Sequence, residues 1–295
     1  MIFSPGAGNT LLALSAAVLW GGGDFSGGMG AKSAGGTLRA ALRVVLLSHI
    51  TSLIVLLAAV RFRGDPFPHG APLMWGIAGG VAGGLALTCF YIALSRGAMG
   101  VSAAVSGLLA AAIPGIVASV AEGSPGLRRL LGFGVAGIAI WMIAASPVTE
   151  KAPAATSALA VAAGAGFGIY FVALKMASPA GVIWPMATAR IGSVTVCSLW
   201  ALAIPLFNRS HREPPIPFTR VIVGWALATA LLDTGGNLLF VAAARAGRLD
   251  VAAVLASLYP ASTILLAAWL LREHPTRRQA LGMAVAAVAV VLISI

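Results

Sequence analysis

Charge is what this sequence has least of. Only 9% of its 295 residues are charged, and Asp and Glu together number eight. A soluble domain carries roughly 25%. So few charges could not cover the surface of a water-soluble globule this size, and lipid is the expected solvent. Cysteine is scarce too. Cys89 and Cys197 lie in apolar runs without a CxxC or His-rich spacing, which argues against a metal site. The four histidines, His49, His69, His211 and His274, are far apart and read as loop residues. No GxSxG, HExxH or paired-histidine pattern occurs. An intramembrane enzyme therefore has no recognisable nucleophile, base or metal cluster to work with. A nucleotide-binding motif is also missing, which argues against direct ATP hydrolysis. No cofactor is expected.

What basic charge there is does not point to nucleic acid. The net charge is +11, but the 19 Lys and Arg are scattered in short breaks between apolar runs. There is no basic helix or aromatic-basic strip. Basic residues at helix ends suit anionic headgroups instead.

The apolar runs are Ala-, Leu- and Gly-rich and far longer than a barrel strand of about ten residues. A bilayer needs about 20 apolar residues per helix. Ten segments qualify, at roughly 9–30, 36–60, 72–95, 99–121, 127–146, 156–177, 182–207, 219–244, 250–271 and 277–295. The first lacks a basic region ahead of it and runs on into GGGDFSGG, so it reads as a retained helix rather than a signal peptide. Glycines at spacing four, such as Gly76, Gly80 and Gly84, or Gly79 and Gly83, let helices approach closely in lipid. The expected fold is an all-α integral membrane protein.

The two halves resemble each other. Trp20-Gly21 matches Phe167-Gly168, and Arg43 matches Arg190, at an offset of 147. Trp75 pairs with Trp225 and Val101 with Val251, at an offset of 150. Glu122 to Gly132 aligns with Arg272 to Gly282, pairing Pro125 with Pro275, Arg128 with Arg278 and Gly132 with Gly282. Pro114 lies one turn away from the place Pro260 would assign it. Residues 1–150 and 151–295 then form two five-helix repeats. An odd helix number starts the second copy on the opposite face, so the repeats are expected to be inverted around a midplane site.

These features resemble the drug/metabolite transporter superfamily, EamA-type. The likeness is carried by the two five-helix repeats, the Trp20-Gly21 followed by glycines in the first helix, and the Arg in the second. It also includes the junction Glu122-Gly-Ser-Pro125 with Arg128-Arg129 and Gly132. It covers nearly the whole chain. It implies transport of a small molecule across the inner (plasma) membrane, with both termini inside. Known members export amino acids, drugs or other metabolites, or exchange sugar nucleotides and phosphates. Asp24 departs from the pattern, because many members carry a small or neutral polar residue there. Charge alone mildly prefers the reverse orientation, with seven basic residues on the terminal side against ten opposite, a difference too small to outweigh what the resemblance implies.

Charges at mid-bilayer cost at least about 2.5 kcal/mol on insertion scales. Asp24, Arg43, Arg190 and Asp233 are the clearest cases. Asp24 shares a face with Trp20, Gly28 and Lys32. It is either a carboxylate for a cation or proton, or a fixed partner for an arginine or Lys32. The adjacent Gly21 to Gly23 could loosen the helix and admit a ligand to its backbone. Trp225, Thr229, Asp233 and Asn237 recur every four residues, a polar stripe that should face the bundle interior. Its purpose is either a binding site or a buried hydrogen-bond network. Arg43 and Arg190 could hold a carboxylate or phosphate or be locked in pairs with Asp24 and Asp233. Balanced charge favours the pairs.

Trp20, Tyr91, Phe167, Tyr170, Phe171, Trp184 and Tyr259 are the expected cavity aromatics. Interfacial anchoring competes for Trp75, Trp184 and Trp269. Pro114 and Pro260 sit inside segments and should bend them. The reading is a secondary transporter working by alternating access, an exporter of amino acids or similar metabolites. The alternative is proton-coupled multidrug efflux of lipophilic cations, which suits acidic and aromatic residues. A non-transporting sensor or scaffold is the rival that the repeat argues against. The partners are a small-molecule substrate and the lipid bilayer, and a monomer is expected.

Overall fold

A computed structural model describes residues 5–96, 99–144, 154–207, 219–270, 272 and 276–294. His211, His274, Lys151, Arg209, Arg212 and Pro275 lie outside them. The described residues form helices and no strand. These are α1 (Pro5–Ser33), α2 (Leu38–Arg63), α3 (Ala71–Ser95), α4 (Met99–Ala121), α5 (Leu127–Ala144), α6 (Ala154–Ala177), α7 (Ile183–Phe207), α8 (Arg220–Ala246), α9 (Leu249–Ala256), α10 (Tyr259–Leu270) and α11 (Arg277–Ser294), with a 3-10 turn at Ser178–Ala180. Among them, seven stretches are long and apolar enough to cross a membrane: α2, α3, α6 through Ala180, α7, α8, Leu249–Leu270 and α11. Val105–Ala121 is a shorter apolar helix.

Local chemistry sets the helix ends. Thr37 caps α2 by accepting from the Ala40 N–H at 3.3 Å, and Gly64 ends it in the left-handed region at φ 69. Thr219 caps α8 in the same way through Ile222 N. Inside lipid every backbone group must find its partner within the protein, and uninterrupted helices meet that demand.

One expected segment departs from this pattern. The stretch expected as a single bent helix over 250–271 breaks at Ser257 and Leu258, between α9 and α10. Pro260 follows two residues after Leu258. Its missing N–H removes the bond to the Ala256 carbonyl, and its ring crowds that carbonyl. Pro114, by contrast, stays inside a continuous α4.

Glycine decides which helices touch. Gly76, Gly80 and Gly84 line one face of α3 and receive α7. A methyl group at Gly80 would overlap the Ala189 carbonyl oxygen, and one at Gly84 would stand 2.8 Å from Ser193 Cβ. From the other side, Gly192 of α7 abuts the Ile77 carbonyl oxygen. Gly79 and Gly83 line a second face of α3 and receive Ala173 and Tyr170 of α6. The Gly21–Gly23 run does not loosen α1. A Cβ added at Gly21 would run into Ser262 and Thr263 of α10, one at Gly22 would stand 3.0 Å from Leu232 Cδ1, and one at Gly23 would stand 3.1 Å from the Asp233 nitrogen. These glycines admit neighbouring helices rather than a ligand, because their missing side chains are what let α8 and α10 close on α1.

Helix packing recurs in matched pairs. α1 packs on α8 as α6 packs on α3; α2 meets α8 as α7 meets α3; α4 lies on α6 as α9 and α10 lie on α1. The match extends to residues. Gly21 faces Thr263, and Gly168 faces Ile113. Gly23 faces Asp233, and Gly83 faces Tyr170. A Cβ at Gly132 would stand 2.7 Å from Ile293 Cγ1, and one at Gly282 would stand 2.8 Å from the Ile143 nitrogen. The start of α5 therefore touches the end of α11, and the start of α11 touches the end of α5. The two helices run antiparallel. Thr10 Oγ1 donates to Ser294 Oγ at 3.1 Å, which places the start of α1 and the end of α11 on one face.

Candidate functional site

The buried polar centre lies where α2, α7 and α8 meet. Arg190 of α7 is 4% exposed. One of its terminal nitrogens, Nη2, pairs with Asp233 Oδ2 and also donates to Thr234 Oγ1 at 3.2 Å. Its Nη1 reaches His49 Nε2 at 2.8 Å. Arginine has no acceptor, so this His49 nitrogen presents its lone pair. The proton then sits on Nδ1, which donates to Ser193 Oγ at 2.8 Å. The Ser193 hydroxyl donates in turn to the Arg190 carbonyl at 3.1 Å. Asn237 Nδ2 donates to Asp233 Oδ1 at 3.1 Å and to the Asp233 carbonyl at 2.7 Å. Two buried atoms in this network lack a partner: Arg190 Nε, a donor, and Asn237 Oδ1, an acceptor.

His49 is the main correction to the sequence reading. It is no loop residue; it is 2% exposed in the middle of α2. Its side chain meets α7, so its polar group is satisfied without water, and that is why it tolerates an apolar run. We predict that His49→Gln keeps an acceptor towards Arg190 and preserves folding. His49→Leu strands a second guanidinium N–H and lowers stability by about 1–3 kcal/mol, read as a lowered unfolding midpoint of the purified protein.

A cavity of about 20 Å³ adjoins this network, lined by His49, Gly80, Gly83, Gly84, Leu87, Phe167, Tyr170, Ala189, Arg190, Ser193, Asp233 and Asn237. That is room for roughly one water molecule, so this conformation is closed around its polar centre. Of the residues expected to form the site, Phe167, Tyr170, Arg190, Asp233 and Asn237 meet on the cavity. Trp20 stacks on Phe171 beside it, centroids 4.9 Å apart and planes 2° from parallel, with Phe240 tilted against both. Asp24 is half-buried on α1 within electrostatic reach of Asp233. Tyr91 is fully buried over Gly27, one turn past Asp24, with its hydroxyl near Thr229. Thr229 donates to the Trp225 carbonyl of its own helix at 2.9 Å. Arg43 is half-buried on α2.

Two aromatics sit elsewhere. Tyr259 binds Ser106 Oγ at 2.8 Å and bridges α10 to α4. Trp184 leaves the cavity for a helix end, where its Nε1 donates to the Asp65 carbonyl at 3.3 Å and its ring meets Phe67 edge-on. Its N–H needs an acceptor when buried, and the α2–α3 connection provides one. Trp269, 77% exposed, and Trp75, 44% exposed, face outward. Ser193 and Thr234 were not anticipated. Ser193 lies three residues from Arg190, on the same α7 face, which was the available signal.

Buried charge between apolar helices marks this centre as the candidate functional site. The sequence of residues 155–295 matches the model of the EamA-like transporter family. This half of the chain is an EamA-like transporter domain. Its helices make the protein a multi-pass membrane protein, and the EamA-like family is one of transporters of small molecules. No curated protein matches the sequence. A solved crystal structure of a protein shares the fold at a TM-score of 0.73, with 15% identity, over 97% of this chain and 96% of the other. The EamA-like half thus sits within a fold that the whole chain shares.

Proposed function

We propose that this chain is a ten-span secondary transporter. In this reading residues 1–150 and 151–295 are inverted five-helix repeats, and the Arg190–Asp233 centre between them opens alternately to either side of the inner (plasma) membrane. The observation that carries the reading is the reciprocal contact of α5 and α11. Gly132 meets Ile293, Gly282 meets Ile143, and an offset of 150 exchanges the two pairs. Helices that correspond in the repeat yet run antiparallel support a reading with a two-fold axis in the membrane plane. The matched packing of the remaining helices supports the same axis. His49 belongs to one half, and Arg190, Ser193 and Asp233 to the other, so the centre lies on the seam that rocking would open.

The cargo in this reading is an exported amino acid or similar small metabolite. The free donor on Arg190 Nε and the free acceptor on Asn237 Oδ1 suit a carboxylate and an ammonium group in one ligand. A screen of solutes for thermal stabilisation of the purified protein tests this, because a ligand that binds the native state raises its unfolding midpoint. Zwitterionic amino acids should stabilise, and Arg190→Lys should weaken the effect. A screen in which no amino acid shifts the midpoint contradicts it.

A second reading, proton-coupled efflux of lipophilic cations, has its own support in the half-buried Asp24 one turn from the Trp20–Phe171 stack. Proteoliposome flux separates the two. Proton coupling predicts rates that follow a pH gradient and lose that response in Asp24→Asn or Asp233→Asn. Rates indifferent to the gradient in all three proteins dismiss coupling. Competition between organic cations and neutral amino acids then identifies the cargo.

A further inference from the structure

A second cavity opens at the end of the bundle where α1 begins and α11 ends. It measures about 190 Å³ and is lined by residues including Asn9, Thr10, Arg129, Gly247, Arg248 and Ser294. Drug-sized ligands occupy roughly 300–1,000 Å³, so this space suits a smaller group. It is separate from the Arg190 centre, and nothing in the transport reading uses it.

Two arginines, Arg129 and Arg248, line the cavity. Arg129 lies in the first turn of α5, half-buried, with no hydrogen bond or ion pair among the described residues. Arg129 stands near the α5 N-terminus, whose partial positive charge favours an anion nearby. Arg248 is held rigid. Its Nε and Nη2 bind Asp250, at 3.0 and 2.8 Å, and Nη2 and Nη1 bind the carbonyls of Gly123 and Glu122, at 2.7 and 3.2 Å. Of its five N–H groups, one on Nη1 remains unused.

Asn9, which also lines the cavity, carries an unused acceptor. Asn9 is 2% exposed, and its Nδ2 donates to the carbonyls of Ala243 at 3.0 Å and Arg248 at 3.4 Å. Those bonds fix the amide orientation and leave Oδ1, an acceptor, buried without a partner. An anion without a proton to donate cannot satisfy it. Thr10 donates to Ser294, and Ser294 to the Val290 carbonyl, which leaves Thr10 Oγ1 able to accept a hydrogen bond as well.

At the repeat offset of 150, Arg129 corresponds to Gln279 and Arg248 to Ala98, so the sequence supplies neither cation at the matching positions of the other half. We infer that this cavity binds a phosphate ester carrying free hydroxyls. The phosphate lies against Arg129 and Arg248, and a hydroxyl donates to Asn9 Oδ1. A phosphatidylglycerol headgroup at the membrane edge and soluble glycerol 3-phosphate share that chemistry.

The test compares unfolding midpoints of the full-length protein in phosphatidylcholine nanodiscs, with and without phosphatidylglycerol, and in phosphatidylcholine nanodiscs with millimolar glycerol 3-phosphate. The inference predicts a rise of about 5 °C in at least one arm. The nanodisc arm identifies a lipid and the soluble arm a free ester. Arg129→Gln, which installs the residue of its repeat counterpart, should abolish the rise. Arg128→Gln removes the same charge from an exposed neighbour and should keep it. No rise in either arm overturns the inference, as does an equal loss in both variants, which would reduce the effect to diffuse attraction by a basic protein.

Discussion

Asp233→Ala lowers the stability of the folded protein by about 3–5 kcal/mol and abolishes solute flux, whereas the double replacement Arg190→Met/Asp233→Leu recovers most of the stability and none of the flux. The reasoning is electrostatic. Arg190 and Asp233 are 4% and 14% exposed. Removing one partner leaves a charge in low dielectric with nothing to balance it, while replacing both with apolar groups of similar size is often neutral. The single variant also strips Asn237 of its carboxylate partner and leaves Arg190 leaning on His49 and Thr234. If the pair were there for folding alone, the double variant would recover function along with stability. Unfolding midpoints in detergent and flux in proteoliposomes, measured on the same preparations, separate the two roles. A double variant that still transports solute removes the ion pair from the mechanism.

Gly80→Val should be more damaging still, with the variant failing to accumulate as folded protein. The position faces the Ala189 backbone of α7, and a methyl group already overlaps that carbonyl oxygen. Backbone cannot give way as a flexible side chain can, so α3 and α7 must separate. Separation pulls Gly84 from Ser193 and Gly192 from Ile77, and it displaces Arg190 one residue beyond Ala189. Overpacking in a well-filled core typically costs about 1–3 kcal/mol per site; here several contacts along one seam are lost together. Gly134→Val makes the useful comparison. No atom lies within 4 Å of a Cβ at that exposed α5 position, so its yield and midpoint should match the parent protein. Equal yields for the two valine variants would mean that the α3–α7 seam is not packed as described.

The inward placement of Arg190, Asp233 and Asn237 is legible in the sequence, for a physical reason. Asp233 and Asn237 stand four residues apart on a helix that otherwise reads as lipid-compatible, and Arg190 interrupts an apolar run. In hydrocarbon such residues must face protein, and they do. The membrane-spanning character of the chain follows from the same scarcity of charge. His49 was missed because its role depends on Arg190 and Ser193, more than a hundred residues away, and nothing near it in sequence reports that contact. The triple glycine was misread for a related reason: spacing says that something approaches closely, but not whether it is a ligand or a helix. Pro114 and Pro260 look alike in sequence, yet only the second breaks its segment. The matching junctions pair Gly132 with Gly282, and the odd helix count predicts an antiparallel course for α5 and α11, but the direct contact of the two helices appears only in three dimensions.

The most direct test concerns access. Ser193→Cys, in a Cys89→Ala/Cys197→Ala background, places one thiol on the closed cavity. The protein is reconstituted, and a membrane-impermeant thiol reagent is added to one side at a time. Alternating exposure of an interior centre predicts modification from each side, slowed by bound solute. Modification confined to a single side, however long the exposure, would contradict the account.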